Sequence, residues 1–171
     1  MRNTDVEDLY ALDECSILLT TTIKKVVAKR GTKPVMRIEK TYKGVNIIAA
    51  ISGSKKVVFQ VLEDRSNKFE VIKFLGYLKH FNEYRPVEVV LDNSNMHRNK
   101  EVYGFVGENA INLHFQPTHS PFLNGVEELW RQLRQWLRGR LFFSLNRLKD
   151  AIYEFFTFNS EVNINIARYL T

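Results

Sequence analysis

Apolar positions follow two periodicities along the chain, and the changes between them predict the order of strands and helices. Short apolar runs rich in β-branched residues predict strands at about residues 9–19, 45–51, 57–61, 87–91 and 111–115. Apolar residues at helical spacing predict helices at about residues 66–85, 100–106, 124–141 and 144–156. The short links between the first three strands indicate an antiparallel meander, and strands separated by helices are expected to be parallel.

Two of the predicted helices show a clear apolar face. The first helix is predicted to begin after an N-cap at Ser66 and to bury Phe69, Ile72, Leu75 and Leu78. In the third helix, at 100° per residue, Glu127 lies closer than Glu128 to the edge of the apolar face. That face consists of Val126, Leu129, Trp130, Leu133, Trp136 and Leu137. Both tryptophans are therefore predicted to pack in the core.

Composition favours one globular domain with a polyanionic partner. The 171 residues are 44% hydrophobic, and 25 Lys and Arg against 19 Asp and Glu give a net charge of +6. This excess favours nucleic acid as the partner. Cys15 is the single cysteine, which excludes an internal disulfide and a multi-cysteine zinc site. No apolar stretch is long enough to span a membrane, so we expect a soluble, cytoplasmic protein.

Three acidic residues lie in contexts suited to a metal ion. Asp13 interrupts an apolar strand, Asp92 ends the fourth strand, and Glu127 begins the third helix, with 34 residues between Asp92 and Glu127. Carboxylates gathered at strand ends repel one another unless a cation binds there. Oxygen ligands favour a hard ion such as Mg²⁺ or Mn²⁺. The alternatives are a surface strand residue, a turn-forming Asp and a first-turn helix acid.

The same residues stand in three short motifs, which are Leu12-Asp13-Glu14, Leu91-Asp92-Asn93-x-x-x-His97 and Ser120-Pro121-x-Leu123-Asn124-x-x-Glu127-x-Leu129-Trp130. In order and spacing, this sequence resembles the catalytic domain of a mariner-like DDE transposase, of the branch with bacterial and archaeal insertion-sequence relatives. The resemblance covers about residues 8–158. It departs from the family at Phe122, where Asp is usual, and at Gly125, where Pro is usual.

The resemblance implies a fold and a reaction. The fold would be α/β and ribonuclease H-like, with a mixed five-stranded sheet of three antiparallel and then two parallel strands, flanked by helices, in a single domain over residues 1–171. Asp13, Asp92 and Glu127 would be the catalytic residues and would hold two divalent cations, Mg²⁺ or Mn²⁺. The chain would then be an endonuclease and polynucleotidyl transferase of DNA transposition, integration and recombination.

The partners are also implied by the family. They would be double-stranded DNA, both transposon ends and target, and a second copy of the chain in a homodimer assembled on DNA. Relatives carry helix-turn-helix modules before the first Asp, and only twelve residues precede Asp13. We therefore expect end recognition to reside in a separate DNA-recognition polypeptide or a trimmed segment, or to be lost in a decayed copy. The protein would act on DNA in the nucleoid.

Two residues near Asp92 are candidate supporting groups. Asn93 is suited to hydrogen-bond a carboxylate, as metal sites often require. His97 has two interpretations: contact with the scissile phosphate or the surroundings of the metal, or an ordinary loop histidine.

Two basic groups are candidate DNA contacts. Arg131, Arg134 and Arg138 follow Glu127 on one side of its helix, where they would meet phosphates without reading sequence. The second group follows the first strand and consists of Lys24, Lys25, Lys29, Arg30 and Lys33. Solvated surfaces are the alternative for both groups.

Two other functions remain open from sequence alone. One is a different ribonuclease H-like nuclease, against which the helix motif around Glu127 argues. The other is a domesticated, non-catalytic DNA-binding or assembly protein, against which the intact acidic residues argue.

Overall fold

In the part of the chain that the structure describes, nine elements form one mixed sheet and the helices that flank it. The computed structural model describes residues 8–19, 29–32, 42–117 and 125–158. Its strands are β1 (Leu9–Leu18), β2 (Gly44–Ser52), β3 (Val57–Leu62), β4 (Val87–Leu91) and β5 (Ile111–Phe115). Its helices are α1 (Lys68–Phe81), α2 (Lys100–Glu108), α3 (Val126–Leu137) and α4 (Leu145–Phe158).

The sheet has the strand order β3-β2-β1-β4-β5. β2 pairs antiparallel with β1 and β3, whereas β4 pairs parallel with β1 and β5. This confirms the predicted α/β fold and its mixed five-stranded sheet. The central strand β1 thus joins the antiparallel half to the parallel half.

Alternation along β1 divides the core into two layers, because successive strand residues face opposite sides of a sheet. Ala11, Cys15 and Ile17 pack in a cluster with residues of α3 and α4. Tyr10 and Leu12 pack in a second cluster with residues of α1 and α2. Asp13 belongs by alternation to the α3 side of the sheet, and Glu14 to the other side.

The predicted start and buried face of α1 need correction. Asn67 is the N-cap, because its Oδ1 accepts hydrogen bonds from the backbone N–H of Phe69 at 2.9 Å and of Glu70 at 3.2 Å. The hydroxyl of Ser66 instead lies against the Sδ of Met96. Phe69 is 64% exposed, since it lies in the first turn, off the face that meets the sheet. The buried face is made of Val71, Phe74, Leu75, Leu78 and Lys79.

The sequence prediction placed the C-terminal end of α3 too late in the chain. The helix ends at Leu137, and Arg138 is extended with ψ 124°. Gly139 then adopts a positive φ of 84°, which a glycine tolerates without the steric cost of a Cβ. Trp130 is fully buried and Trp136 partly buried in the α3 and α4 layer. The predicted cap of α4 is confirmed, since Ser144 Oγ accepts from Arg147 N–H at 3.3 Å.

Candidate metal and catalytic site

Asp13 is the innermost carboxylate of the site. It lies on β1 beneath α3, where the indole Nε1 of Trp130 donates a hydrogen bond to its Oδ2 at 3.0 Å. Burial raises the pKa of Asp13 to about 7 against the lowering effect of the Trp130 hydrogen bond, and the charges of Glu14 and Glu127 raise it further. Asp13 is therefore a carboxyl group whose ionised form lacks compensation.

Glu127 and Glu128 have different surroundings at the start of α3. The charge of Glu127 reaches the sheet, because it contributes to raising the pKa of both Asp13 and Cys15. Glu128 is instead engaged along the helix: its Oε2 accepts from Arg131 Nε at 2.7 Å and its Oε1 accepts from Gln132 Nε2 at 3.0 Å. The hydrogen bond from Arg131 lowers the pKa of Glu128.

Asp92 follows the last residue of β4 at its carboxyl end. The parallel register pairs Ala11 of β1 with Val90 of β4, so two residues further along Asp13 comes level with Asp92. The side chain of Asp92 is 54% exposed. Its Oδ1 accepts a hydrogen bond from the backbone N–H of Ser94 at 3.1 Å, which fixes the turn after the strand.

His97 lies between two carboxylates and is 1% exposed. Its Nδ1 lies 2.8 Å from Asp92 Oδ1, and its Nε2 lies 3.0 Å from Glu14 Oε1. Burial of the ring lowers its pKa, but the contacts with Glu14 and Asp92 outweigh burial and raise the pKa of His97 to about 8. Both ring nitrogens face acceptors, as in the protonated imidazolium.

The donor set suits a hard divalent cation. Within residues 8–19, 29–32, 42–117 and 125–158, no three His, Cys, Asp or Glu side chains converge enough to hold one metal ion. The carboxylates of Asp13 and Glu127 do approach closely enough to repel, which a bound cation would relieve. Asn93 Oδ1 is buried without a hydrogen-bond partner in the described part of the chain. These oxygen atoms match the preference of Mg²⁺ and Mn²⁺.

The arginines after Glu127 do not form one uniform row. Arg131 is paired with Glu128, while Arg134 Nη2 lies 3.2 Å from the Sγ of Cys15 on β1. Burial raises the pKa of the Cys15 thiol to about 11, so it stays protonated. Arg138 is exposed just beyond the helix end.

The second basic group is described only in part. Lys29 and Arg30 are exposed in a turn in which Thr32 N–H donates to Lys29 O at 3.0 Å. Lys24, Lys25 and Lys33 lie outside the described residues, as do the motif residues 120–124. The DNA contacts of this group stay a prediction.

Two contacts of the site were missed by sequence reasoning. Trp130 was predicted only as a core residue, yet its N–H holds Asp13. Glu14 was treated only as the competitor of Asp13, yet it binds His97. Strand alternation gave a signal for the second contact, because it directs Glu14 to the opposite face from Asp13.

Known proteins match this chain by sequence profile and by structure. The profile of the DDE superfamily endonucleases matches residues 8–149. No curated protein matches the sequence. The chain does resemble the Mos1 transposase paired-end complex with the left transposon end, with a TM-score of 0.74 and 16% identity over 99% of this chain and 55% of that chain.

Two further solved structures show the same fold. One is the mariner Mos1 paired-end complex with Mg, with a TM-score of 0.74 and 17% identity over 99% of this chain and 55% of that one. The other is the Mos1 transposase catalytic domain with raltegravir and Mn, with a TM-score of 0.68 and 14% identity over 99% of this chain and 82% of that one. The fold is therefore ribonuclease H-like.

The share of each chain that is matched limits what these matches show. The chain spans about half the length of the Mos1 chains in the two paired-end complexes. The described residues contain no helix long and apolar enough to cross a membrane. The profile match covers most of the sequence, whereas the placement in the insertion-sequence branch stays a prediction. The chain belongs to the DDE superfamily of endonucleases.

Proposed function

We propose that this chain is the catalytic domain of a mariner-like transposase that cleaves and joins DNA strands with the help of divalent cations. The observation that carries the proposal is the position of Asp13 on β1 beneath α3. There Trp130 Nε1 donates a hydrogen bond to its Oδ2 at 3.0 Å, while burial and the charges of Glu14 and Glu127 raise its pKa to about 7. Asp92 directly follows β4, the strand that pairs parallel with β1. A carboxyl group with a strongly raised pKa, as at Asp13, is typical of a functional site rather than of a packed core.

Asp13, Asp92 and Glu127 are the proposed ligands of Mg²⁺ or Mn²⁺. When bound, the cations would supply Lewis-acid activation of water or a 3′-hydroxyl and would stabilise the leaving oxygen. The chain itself orients the ligands. Trp130 N–H donates to Oδ2 of Asp13, and Ser94 N–H donates to Oδ1 of Asp92, and these hydrogen bonds orient the two carboxylates. No protein nucleophile is needed in this reaction.

DNA is the proposed substrate and partner. Matched structures are Mos1 complexes with transposon ends and a strand transfer complex. The net charge of +6 supports a polyanionic partner for this chain, and Arg134 and Arg138 lie on the helix that begins next to Glu127. We further propose a homodimer on DNA and a DNA-recognition module supplied by another segment or polypeptide.

The test is nicking and strand transfer with Mn²⁺ on supercoiled and 3′-hydroxyl-ended DNA. Asp13→Asn, Asp92→Asn and Glu127→Gln should each reduce both reactions to background while the protein stays folded. Glu128→Gln is the matched control, because it changes an identical side chain one position along the helix. It should retain most activity.

Each possible result discriminates between assignments. An active Glu127→Gln beside an inactive Glu128→Gln would reverse the assignment of the third carboxylate. Nicking without strand transfer would identify a different ribonuclease H-like nuclease. Full activity in Asp13→Asn would refute the proposed site.

A further inference from the structure

A buried histidine connects the two strands that carry Asp13 and Asp92. The Nε2 of His97 contacts Glu14 on β1, and its Nδ1 contacts Asp92 beyond β4, at 3.0 and 2.8 Å. The residues of the first contact are 83 positions apart in sequence. The contact therefore depends on the pairing of β1 with β4 and is not a local turn interaction.

We propose that Glu14 and His97 form a clamp that positions Asp92 as a metal ligand, so that both are positioning residues of the catalytic site. This inference rests on the proposed function. It assigns to Glu14 a role distinct from that of its neighbour Asp13. Successive residues of β1 face opposite sides of the sheet. This strand would therefore supply the ligand Asp13 on one face and, on the other, Glu14, which anchors the ligand Asp92 through His97.

Asp92 needs such an anchor because it lies outside the hydrogen-bonded ladder. The register of β1 with β4 ends at Val90, and Asp92 precedes a turn that runs to the start of α2. Its side chain is more than half exposed, so solvent alone would leave several rotamers open. Contacts from Ser94 N–H and His97 both fall on Oδ1. Asp92 Oδ2 accepts no hydrogen bond from any described residue, so it is the oxygen that we assign to the proposed cation.

The alternative role of His97, a direct contact with the scissile phosphate, fits the geometry poorly. The ring is 1% exposed, and each nitrogen already faces a carboxylate oxygen. A phosphate would have to displace Asp92 or Glu14 to reach it. Buried groups that orient metal ligands, by contrast, are a regular feature of metal sites.

Two amide substitutions separate positioning from packing. The amide nitrogen of Asn lies close to the place of the histidine Nδ1, and that of Gln close to the place of Nε2. His97→Asn therefore keeps a donor towards Asp92, whereas His97→Gln keeps one towards Glu14. Both remove the buried ring and should lower the melting temperature in EDTA alike.

The primary measurement is Mn²⁺ binding to the whole chain by titration calorimetry. We expect His97→Gln to weaken Mn²⁺ affinity by about 10–100-fold, as loss of such groups does in other metal sites, and His97→Asn by only about threefold. Glu14→Gln, at a partly exposed position, should weaken it by an intermediate factor. Glu88→Gln is the control, since it removes another Glu–His contact, with His114, in the same sheet. It should bind Mn²⁺ as the wild type does.

The outcomes separate this inference from the proposed function. A wild-type chain that binds no Mn²⁺ would refute both. Wild-type affinity in His97→Gln, or equal losses in His97→Gln and His97→Asn, would refute the clamp and leave the metal site standing. If both His97 variants unfold, Glu14→Gln decides: wild-type affinity in that variant overturns the clamp, and weakened affinity supports it.

Discussion

At the scale of single residues, Asp13 shows how the site opposes stability. Its pKa of about 7 lies above the ordinary value of 3.8 because the group is buried beside other carboxylates. The folded chain therefore binds this proton more tightly than the unfolded chain does. The resulting stability is complete below pH 3.8 and is lost as the pH rises to about 7.

This linkage predicts the effect of Asp13→Asn on metal-free protein. The amide cannot ionise, yet it keeps an oxygen acceptor for Trp130. In EDTA, the free energy of unfolding of Asp13→Asn relative to wild type should increase between pH 4 and 8, by at most about 4 kcal/mol for a shift of about three pKa units. Urea denaturation at several pH values measures it. Parallel pH profiles of the two proteins would contradict the raised pKa.

The sequence supplied candidate ligands but not the hydrogen-bond partners of those residues. Motif spacing can be read directly from the sequence, and it selected Asp13, Asp92 and Glu127. The hydrogen bond of Trp130 to Asp13 joins residues 117 positions apart, and tertiary packing alone brings them together. Periodicity identified Trp130 as buried but carried no information on where its N–H points.

At the scale of elements, α3 combines the proposed ligand Glu127 with a basic surface. Its apolar face was predicted correctly, because burial follows the 3.6-residue period. Its end was predicted too late, since the apolar and basic pattern continues past Gly139 while the backbone does not. Arg138 therefore extends from the helix end rather than from its side.

The arginines of α3 give a prediction about DNA binding. Replacing Arg131, Arg134 and Arg138 together with Gln should weaken binding similarly for any DNA sequence, because phosphate contacts carry no base information. At about 0.9 per contact, the slope of log affinity against log salt should flatten by roughly 2–3. The lower end applies if Arg131 stays with Glu128. Fluorescence anisotropy at several salt concentrations measures this slope.

A charge-matched control removes three exposed lysines elsewhere. Lys55 and Lys56 lie in the turn between β2 and β3, near the end of the sheet where β1 begins, and Lys73 lies on α1. Their joint replacement with Gln lowers the net charge equally and should leave most of the salt slope intact. Equal flattening in both triple variants would show that net charge, not the α3 surface, binds DNA.

At the scale of the whole molecule, the site exists only when distant parts of the chain are folded together. Asp13 comes from β1, Asp92 from the end of β4 and Glu127 from α3. The hydrophobic pattern predicted these elements but not their order in the sheet, because many orders bury the same apolar faces. Only the family resemblance implied a ribonuclease H-like arrangement of the sheet, and the structure has the order β3-β2-β1-β4-β5.

A ligand held by three separate elements should stabilise the fold as a unit. If Mn²⁺ binds Asp13, Asp92 and Glu127 in the native state only, a concentration of about 100 times Kd adds about 2.7 kcal/mol to the free energy of unfolding. For a domain of this size, that corresponds to a rise in Tm of roughly 5–10 °C. Differential scanning calorimetry with Mn²⁺ and with EDTA measures the shift. The Asp92→Asn variant should lose most of this shift in Tm. The Glu128→Gln variant should keep it, because the carboxylate of Glu128 is already paired with Arg131. An equal shift in wild type and Asp92→Asn would mean that Mn²⁺ binds elsewhere on the protein.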